Sequence, residues 1–356
     1  MRILHLAPHC DEVGNGVVNV AIDLALKQRE AGHAVAFVSR GGSMESMLTT
    51  NDVRHFRASI GMRRPWEIPS AMRALSSATQ SFEPSIVHAH MVPGAVFARA
   101  LQRSRDFRLI STVHNAPRPQ ATLMGLADRV IVVSGANLKS MARRGIARHK
   151  LRLVKNGPLG SPRRARVSTA MRTPVIRRPA IVTVARLFAQ KGIGDLIAAF
   201  ALIAASFPEW SLYLVGAGPE QERLRHQAAD AGFSERIHFE GFVRDPRPYL
   251  AQADVFVLAS RSDPFPLVIP EAREAGCAII GTAVDGICEG LENGRAGLLV
   301  PPASPAALAK ELARLLRDRD ELAIWRERAR TNLEWLKIER VVEETMAIYE
   351  EALADG

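Results

Sequence analysis

The feature that most constrains this chain is an alternation that runs from one end to the other. Short continuous runs of Val, Ile and Leu take turns with longer amphipathic segments. In the first half the strand-like runs are Arg2–Ala7, Ala34–Ser39, Ile86–His90, Leu109–His114, Arg129–Ser134 and Leu151–Lys155. The second half repeats the scheme with Ala180–Ala185, Ser211–Gly216, Ile237–Glu240, Val255–Ala259, Ala278–Thr282 and Leu298–Val300. Between several of them lie helical patterns such as VVNVAIDLALKQREAG and ANLKSMARRG. A strand that is apolar on both faces must be covered on both faces, which is the condition of a parallel sheet with helices above and below it.

Both series are long enough to close a domain of ordinary size, and 356 residues accommodate two. The stretch GPLGSPRRARVSTAMRTPVIRRPA between them is rich in Pro, Arg and Ser and has no apolar period. We therefore expect a first Rossmann-like domain over residues 1–157, a linker over 158–178 and a second domain over 179–334. A C-terminal helix, about 335–356, can pack back onto the first. In doubly wound sheets ligands bind beyond the C-terminal strand ends, where helix N-termini offer unpaired N–H groups. Two such domains are expected to face each other across a cleft, the default site.

Charge is divided unevenly along the chain. Residues 1–178 carry 28 Lys+Arg and 10 Asp+Glu, a net +18, while the remainder carries 19 and 27, a net −8. A basic half points to an anionic partner such as a membrane surface, a phosphorylated lipid or nucleic acid; an arginine-rich solvated surface accounts for it equally. Aromatic residues are only 6 % and no RNA-binding signature is present, so stacking surfaces are scarce and a nucleic-acid partner is not expected. Cys10, Cys277 and Cys288 are odd in number and lack metal-ligand spacing, as expected of reduced thiols in a cytosolic protein. The best apolar run, from Ile193, is too short to span a bilayer and contains Asp195. The opening MRILHLAP reads as a buried strand rather than a signal peptide.

Chemistry-bearing residues gather at strand ends of the second half. Ala180–Ala185 runs into RLFAQKG, where Arg186 and Lys191 flank a short loop before a helix, a cradle for a diphosphate. Ser211–Gly216 runs into GAGPE, with Gly216 and Gly218 in a second turn. Gln221 stands where a dinucleotide fingerprint needs its third glycine, so NAD is weakly supported. Either loop alone is equally an ordinary strand–helix turn. The stretch SRSDPFPLVIPEAREAG carries two acids, Asp263 and Glu271, with a helix starting between Pro266 and Pro270. Carboxylates accept from sugar hydroxyls and the free amides of residues 265–268 donate to hydroxyl or phosphate oxygens. Alternatively Asp263 caps the helix and Glu271 favours its dipole. Asp318-Arg319-Asp320 reads as a solvated helical charge run rather than a metal loop.

Taken together, VARLFAQKG, LVGAGPE, IHFEGFVRD, LASRSDPFPLVIPEAREAG and GICEGLENGRAGLLV resemble the family 4 glycosyltransferases, which have the GT-B fold. HCDEVGNGVVNVAIDLA, IVHAH, LISTVHN, ADRVIVVS and VKNG extend the resemblance over nearly the whole chain. It implies a retaining transfer from a UDP- or GDP-sugar to a hydroxyl acceptor, a glycan or lipid-linked glycan, with no metal, no further cofactor and no covalent enzyme intermediate. By the same resemblance Arg186 and Lys191 hold the diphosphate, Glu271 the ribose and Asp263 the transferred sugar. Main-chain groups at Val243 meet the base, and Phe265, Pro266, Leu267 and Val268 meet sugar and phosphate. Gly16 lets the first loop approach the diphosphate, and His114 faces the reacting sugar and acceptor. His90, Asn15 and Asn19 are further candidates on the acceptor side.

Two departures stand out. The family pattern is E-x(7)-E, and Asp263 is one methylene shorter than its glutamate, which bears on donor identity through a deeper or water-bridged sugar. Asn15-Gly16 replaces a glycine pair; Asn tolerates left-handed backbone angles, so the turn is expected to survive. The basic residues Arg63, Arg64, Arg143, Arg144 and Arg148 to Arg152 suggest contact with lipid headgroups. The setting would then be surface polysaccharide or lipid-linked glycan assembly, cytoplasmic and peripheral on the inner face of the cell membrane. Other readings are a soluble acceptor, a sugar-nucleotide epimerase or hydrolase, and an inactive nucleotide-sugar-binding module.

Overall fold

The computed structural model of the chain describes residues 1–60, 65–115, 119–165 and 176–355. The expected Arg63 and Arg64, and residues 166–175 of the expected linker, lie outside these. The chain divides into two compact units, residues 1–163 with 337–356, and residues 164–336.

Unit 1 is built on a seven-stranded sheet: β1 (Arg2–Leu6), β2 (Ala34–Ser39), β3 (Arg54–Arg57), β4 (Ile86–Ala89), β5 (Arg108–Val113), β6 (Arg129–Val132) and β7 (Leu151–Leu153). All pairs are parallel, in the order β3-β2-β1-β4-β5-β6-β7. Apart from Leu153 on the edge strand β7, its Val, Ile and Leu side chains are buried on both faces, as the continuous runs require. β3 was not among the expected strands. RHFR has no apolar run because it is an edge strand, whose Arg54 and Arg57 stay in water and discourage further pairing.

The last helix, Ile338–Ala354, belongs to unit 1 and packs against the Gly16–Glu30 helix. Glu351 binds both Arg129 and Arg152, and Tyr349 is fully buried.

This arrangement revises the charge split. Residues 1–163 hold 23 Lys+Arg and 10 Asp+Glu, and residues 337–356 hold 2 and 6. Unit 1 therefore nets +9 and unit 2 +1. The expected basic surface shrinks too. Arg152 is turned onto Glu351, and the Lys150 ammonium donates to the carbonyls of Gly125 and Ala127 at 3.3 and 3.0 Å. Arg143 and Arg148 are exposed.

Unit 2 has a six-stranded parallel sheet: β8 (Ala180–Val184), β9 (Ser211–Val215), β10 (Ile237–Gly241), β11 (Val255–Leu258), β12 (Ala278–Thr282) and β13 (Leu298–Val300). Their order is β10-β9-β8-β11-β12-β13. Strand order reverses between β1 and β4 in unit 1 and between β8 and β11 in unit 2. Chain crossing to opposite faces at such a reversal opens a crevice at the C-terminal strand ends. No helix among the described residues is long and apolar enough to cross a membrane.

Candidate active site

In unit 2 the loops leaving β8 and β11 hold the expected cations and the first acid. Leu187 is buried and anchors the first loop, and the exposed Arg186 guanidinium lies 4.5 Å from the centroid of the Phe188 ring. Lys191 ends the loop half-buried, and its ammonium donates to Asp263 Oδ2 at 2.5 Å. Ser260 Oγ donates to the same oxygen at 3.4 Å. Asp263 is thus a buried carboxylate whose charge is met by Lys191, the condition for burying it. An ammonium has three N–H donors, so Lys191 keeps two beyond this pair.

Glycines bring these loops together. Gly192 has φ 64, and a Cβ there would stand 1.9 Å from the Ala259 carbonyl oxygen at the end of β11. A Cβ on Gly216 would stand 1.9 Å from Ala185 O, and one on Gly218 2.4 Å from Leu187 O. The loop after β9 therefore lies directly on the loop after β8, joined by Leu187 N–H to Ala217 O at 3.0 Å. Gly216 and Gly218 make this loop-on-loop contact.

The second acid sits on the Val268–Ala275 helix. Leu267 occupies the N-cap and makes no side-chain cap hydrogen bond. Asp263 does not cap it, because its carboxylate is turned toward Lys191. Glu271 is half-buried in the first turn, where the helix dipole favours an anion. Phe265 and Pro266 are buried; Leu267, Val268 and Val243 are half-buried, and Val243 and Val268 pack on the same side of the unit 2 sheet.

Two residues of this site were not anticipated. Asp285, at φ 38, accepts from Ser262 Oγ at 2.7 Å and from the Asp263 N–H at 3.1 Å, while the Gly286 N–H donates back to Asp263 O at 3.1 Å. It clamps the loop that carries the first acid. The available signal was an Asp-Gly turn directly beyond a strand. Arg273, two residues beyond Glu271 and fully buried, donates to the carbonyls of Ala329, Gly290 and Thr331 and to Glu292, all at 2.7–3.0 Å. Burial lowers its pKa against the opposing pull of Glu292.

In unit 1 the reversal between β1 and β4 holds histidines. His90 lies just beyond β4 and is buried, and His114 lies just beyond β5 and is half-buried. His90 joins a chain of buried side chains. His114 Nε2 is 3.0 Å from His90 Nδ1, and His90 Nε2 is 3.0 Å from His5 Nδ1. His5 Nε2 is 2.7 Å from Gln28 Oε1, and Gln28 Nε2 reaches Tyr349 OH at 3.4 Å. That hydroxyl is 2.6 Å from His88 Nδ1, whose ring ends on Thr112 Oγ1 at 2.7 Å. Burial lowers the pKa of all four rings, His5 to about 4 and His114 to about 3, so they are neutral near pH 7. Ligand atoms of His5, His88 and His90 lie within 4.8 Å of one another, yet every nitrogen of the three is engaged in these bonds. A metal would have to break them, and the trio does not fit one.

Asn15 is the N-cap of the Gly16–Glu30 helix, and its side chain accepts from Val17 N–H at 3.1 Å. Its φ is −97, so the expected left-handed turn does not fall on it; Gly14, at φ 61, takes that conformation. Gly16 is the exposed first residue of the helix, and Asn19 is half-buried one turn on.

Two Rossmann-like parallel-sheet units of this order define the GT-B glycosyltransferases. Residues 173–332 match the family described as Glycosyl transferases group 1, and residues 14–157 match Glycosyltransferase Family 4. The chain belongs to the family 4 glycosyltransferases. It is 30 % identical over 175 residues to the lipopolysaccharide core biosynthesis glycosyltransferase LpsE of Rhizobium meliloti, covering 48 % of this chain and 49 % of that one. It is 29 % identical to the glycogen synthase of Mycobacterium tuberculosis, covering 67 % and 62 %. The chain thus spans about half to three fifths of the length of these relatives. The fold matches Anabaena HepE, solved with UDP and glucose, at TM-score 0.80 and 22 % identity over 99 % of both chains. It matches the sucrose-phosphate synthase of Thermosynechococcus elongatus at 0.81 and 23 %, again over 99 % of both.

Proposed function

We propose that this chain is a retaining glycosyltransferase that moves a sugar from a nucleoside-diphosphate sugar to a hydroxyl acceptor. The observation that carries this reading is the grouping in unit 2. Lys191 and Asp263 are paired at adjoining strand ends, and Glu271 lies in the first turn of a helix whose N-cap residue, Leu267, has no side-chain cap bond. Charge grows on the diphosphate as the sugar–oxygen bond breaks. Arg186, the two remaining Lys191 donors and the helix amides would oppose it without reorganisation, an electrostatic form of catalysis. Both bonds to Asp263 reach Oδ2, so Oδ1 would take a sugar hydroxyl and Glu271 the ribose. Unit 2 would bind the donor and unit 1 the acceptor, with His114 meeting the acceptor hydroxyl.

That relatives act in lipopolysaccharide core and glycogen synthesis, and that HepE was solved with UDP-glucose, supports a nucleotide sugar and a glycan acceptor. The net +9 of unit 1, with Arg143 and Arg148 exposed, supports a lipid-linked acceptor at an anionic membrane surface on the cytoplasmic side.

Calorimetric titration with UDP, GDP and their sugar conjugates tests the donor site. One nucleotide series should bind, and Glu271→Ala should abolish that binding. Lys191→Ala and Glu271→Ala should each lower transfer by about a hundredfold or more in a folded protein, the scale of a lost charge-stabilising group. Near-normal rates in either variant overturn the site. Donor consumed without acceptor would instead mark an epimerase or hydrolase.

A further inference from the structure

The buried hydrogen-bond chain of unit 1 has a direction, and that direction sets which atom His114 offers to its surroundings. A neutral imidazole donates from one nitrogen and accepts at the other. Gln28 Oε1 can only accept, so the 2.7 Å contact makes His5 Nε2 the protonated nitrogen. His5 Nδ1 is then bare and must accept from His90 Nε2–H. The same step repeats at the next ring, so His90 Nδ1 accepts from His114 Nε2–H. At the other end Gln28 donates its amide N–H to Tyr349 OH, and the Tyr349 hydroxyl donates to His88 Nδ1. His88 Nε2–H closes the chain on Thr112 Oγ1. Every donor meets an acceptor, and reversing His5, His90 or His114 alone would set two lone pairs or two protons against each other in a buried site, whereas His88 sits between two hydroxyls that can each donate or accept. That mismatch is costly, so the polarity of the first three rings is all-or-none.

We infer that Gln28 and Tyr349, acting through His5 and His90, are positioning residues that lock His114 in the Nε2–H tautomer, with a bare Nδ1 as a hydrogen-bond acceptor at the C-terminal end of β5. The ligand that suits such an atom is a hydroxyl donor, and the inference deepens the reading of His114 as the group facing the acceptor, on which it rests. Burial keeps the rings neutral, which the relay requires. Neither Gln28 nor Tyr349 lies at a strand end, and Tyr349 enters from the last helix, Ile338–Ala354.

Long-range proton–nitrogen NMR on histidine-labelled protein at neutral pH reads the tautomers directly, with His114 assigned from His114→Asn. His5, His90 and His114 should all show protonated Nε2 and bare Nδ1. A proton on His114 Nδ1, or a doubly protonated His114, overturns the inference. In Gln28→Met the relay loses its fixed end. His114 should then populate both tautomers and kcat should fall on the order of five- to tenfold, with nucleotide affinity unchanged. Should that variant not fold, Tyr349→Phe keeps the ring, removes the hydroxyl and should shift His114 in the same direction. An unchanged His114 tautomer in a folded variant means the chain only stabilises the unit, and the inference fails. The NMR result does not depend on turnover, so an inactive wild-type protein would defeat the transferase reading while leaving the tautomer lock to stand or fall by itself.

Discussion

At the scale of single residues, His5 shows how burial converts an ordinary titrating group into a pH-dependent contributor to stability. Its folded pKa of about 4 lies below the ordinary 6.5, because its surroundings disfavour the charged form. Protonation therefore favours the unfolded chain. The stability that His5 contributes is complete above pH 6.5 and is lost as pH falls toward 4, on the order of 3 kcal/mol by the lower limit. Urea denaturation at pH 7.5, 5.5 and 4.5 should show stability falling through this window. A flat profile between 6.5 and 4 would contradict the burial argument. Lys191 and Asp263 illustrate the opposite case, opposite charges half-buried and buried side by side, legible only once their loops are folded.

Helix 268–275 is the element on which the second acid depends, and Arg273 ties it down. With its head group on three carbonyls and Glu292, Arg273→Leu would take the guanidinium donor from the carbonyls of Ala329, Gly290 and Thr331 and leave the shielded Glu292 to Arg295, Asn332 and Trp335 alone. Breaking such a buried pair costs about 3–5 kcal/mol. Arg273→Lys should recover little of that, since one ammonium cannot reproduce a planar fork reaching four acceptors. Thermal unfolding of both variants checks this; a lysine variant close to wild type would show that the charge alone suffices. The sequence displays Arg273 only as one more charge in PEAREAG. Its burial follows from packing against residues 290–292 and 329–331, which no local pattern announces.

For the whole molecule, the last helix decides more than its position in the chain suggests. It returns to unit 1, takes five acidic residues with it and brings Tyr349 to His88 and Glu351 to Arg129 and Arg152. A chain ending at Lys337 should leave the face formed by the Gly16–Glu30 helix uncovered, with His88 and Gln28 lacking their hydroxyl partner. We expect it to aggregate on expression, measured as the soluble fraction beside the full chain. A soluble, cooperatively melting product would show that this helix is dispensable to unit 1.

Twelve of the thirteen strands, the doubly wound class, the loops bearing Arg186, Lys191 and Asp263 and the helix bearing Glu271 were legible in the sequence. Burial on both faces writes itself into continuous apolar runs, and strand-to-helix turns write themselves into glycine. The edge strand β3 escaped because exposure leaves no such run. The pairing of Lys191 with Asp263 spans 72 positions, the bond between His88 and Tyr349 spans 261, and the charge of unit 1 depends on which unit receives the last helix. These were decided by tertiary structure alone, because a contact between distant segments is fixed by which surfaces the folded chain brings together, and local periodicity carries no record of that.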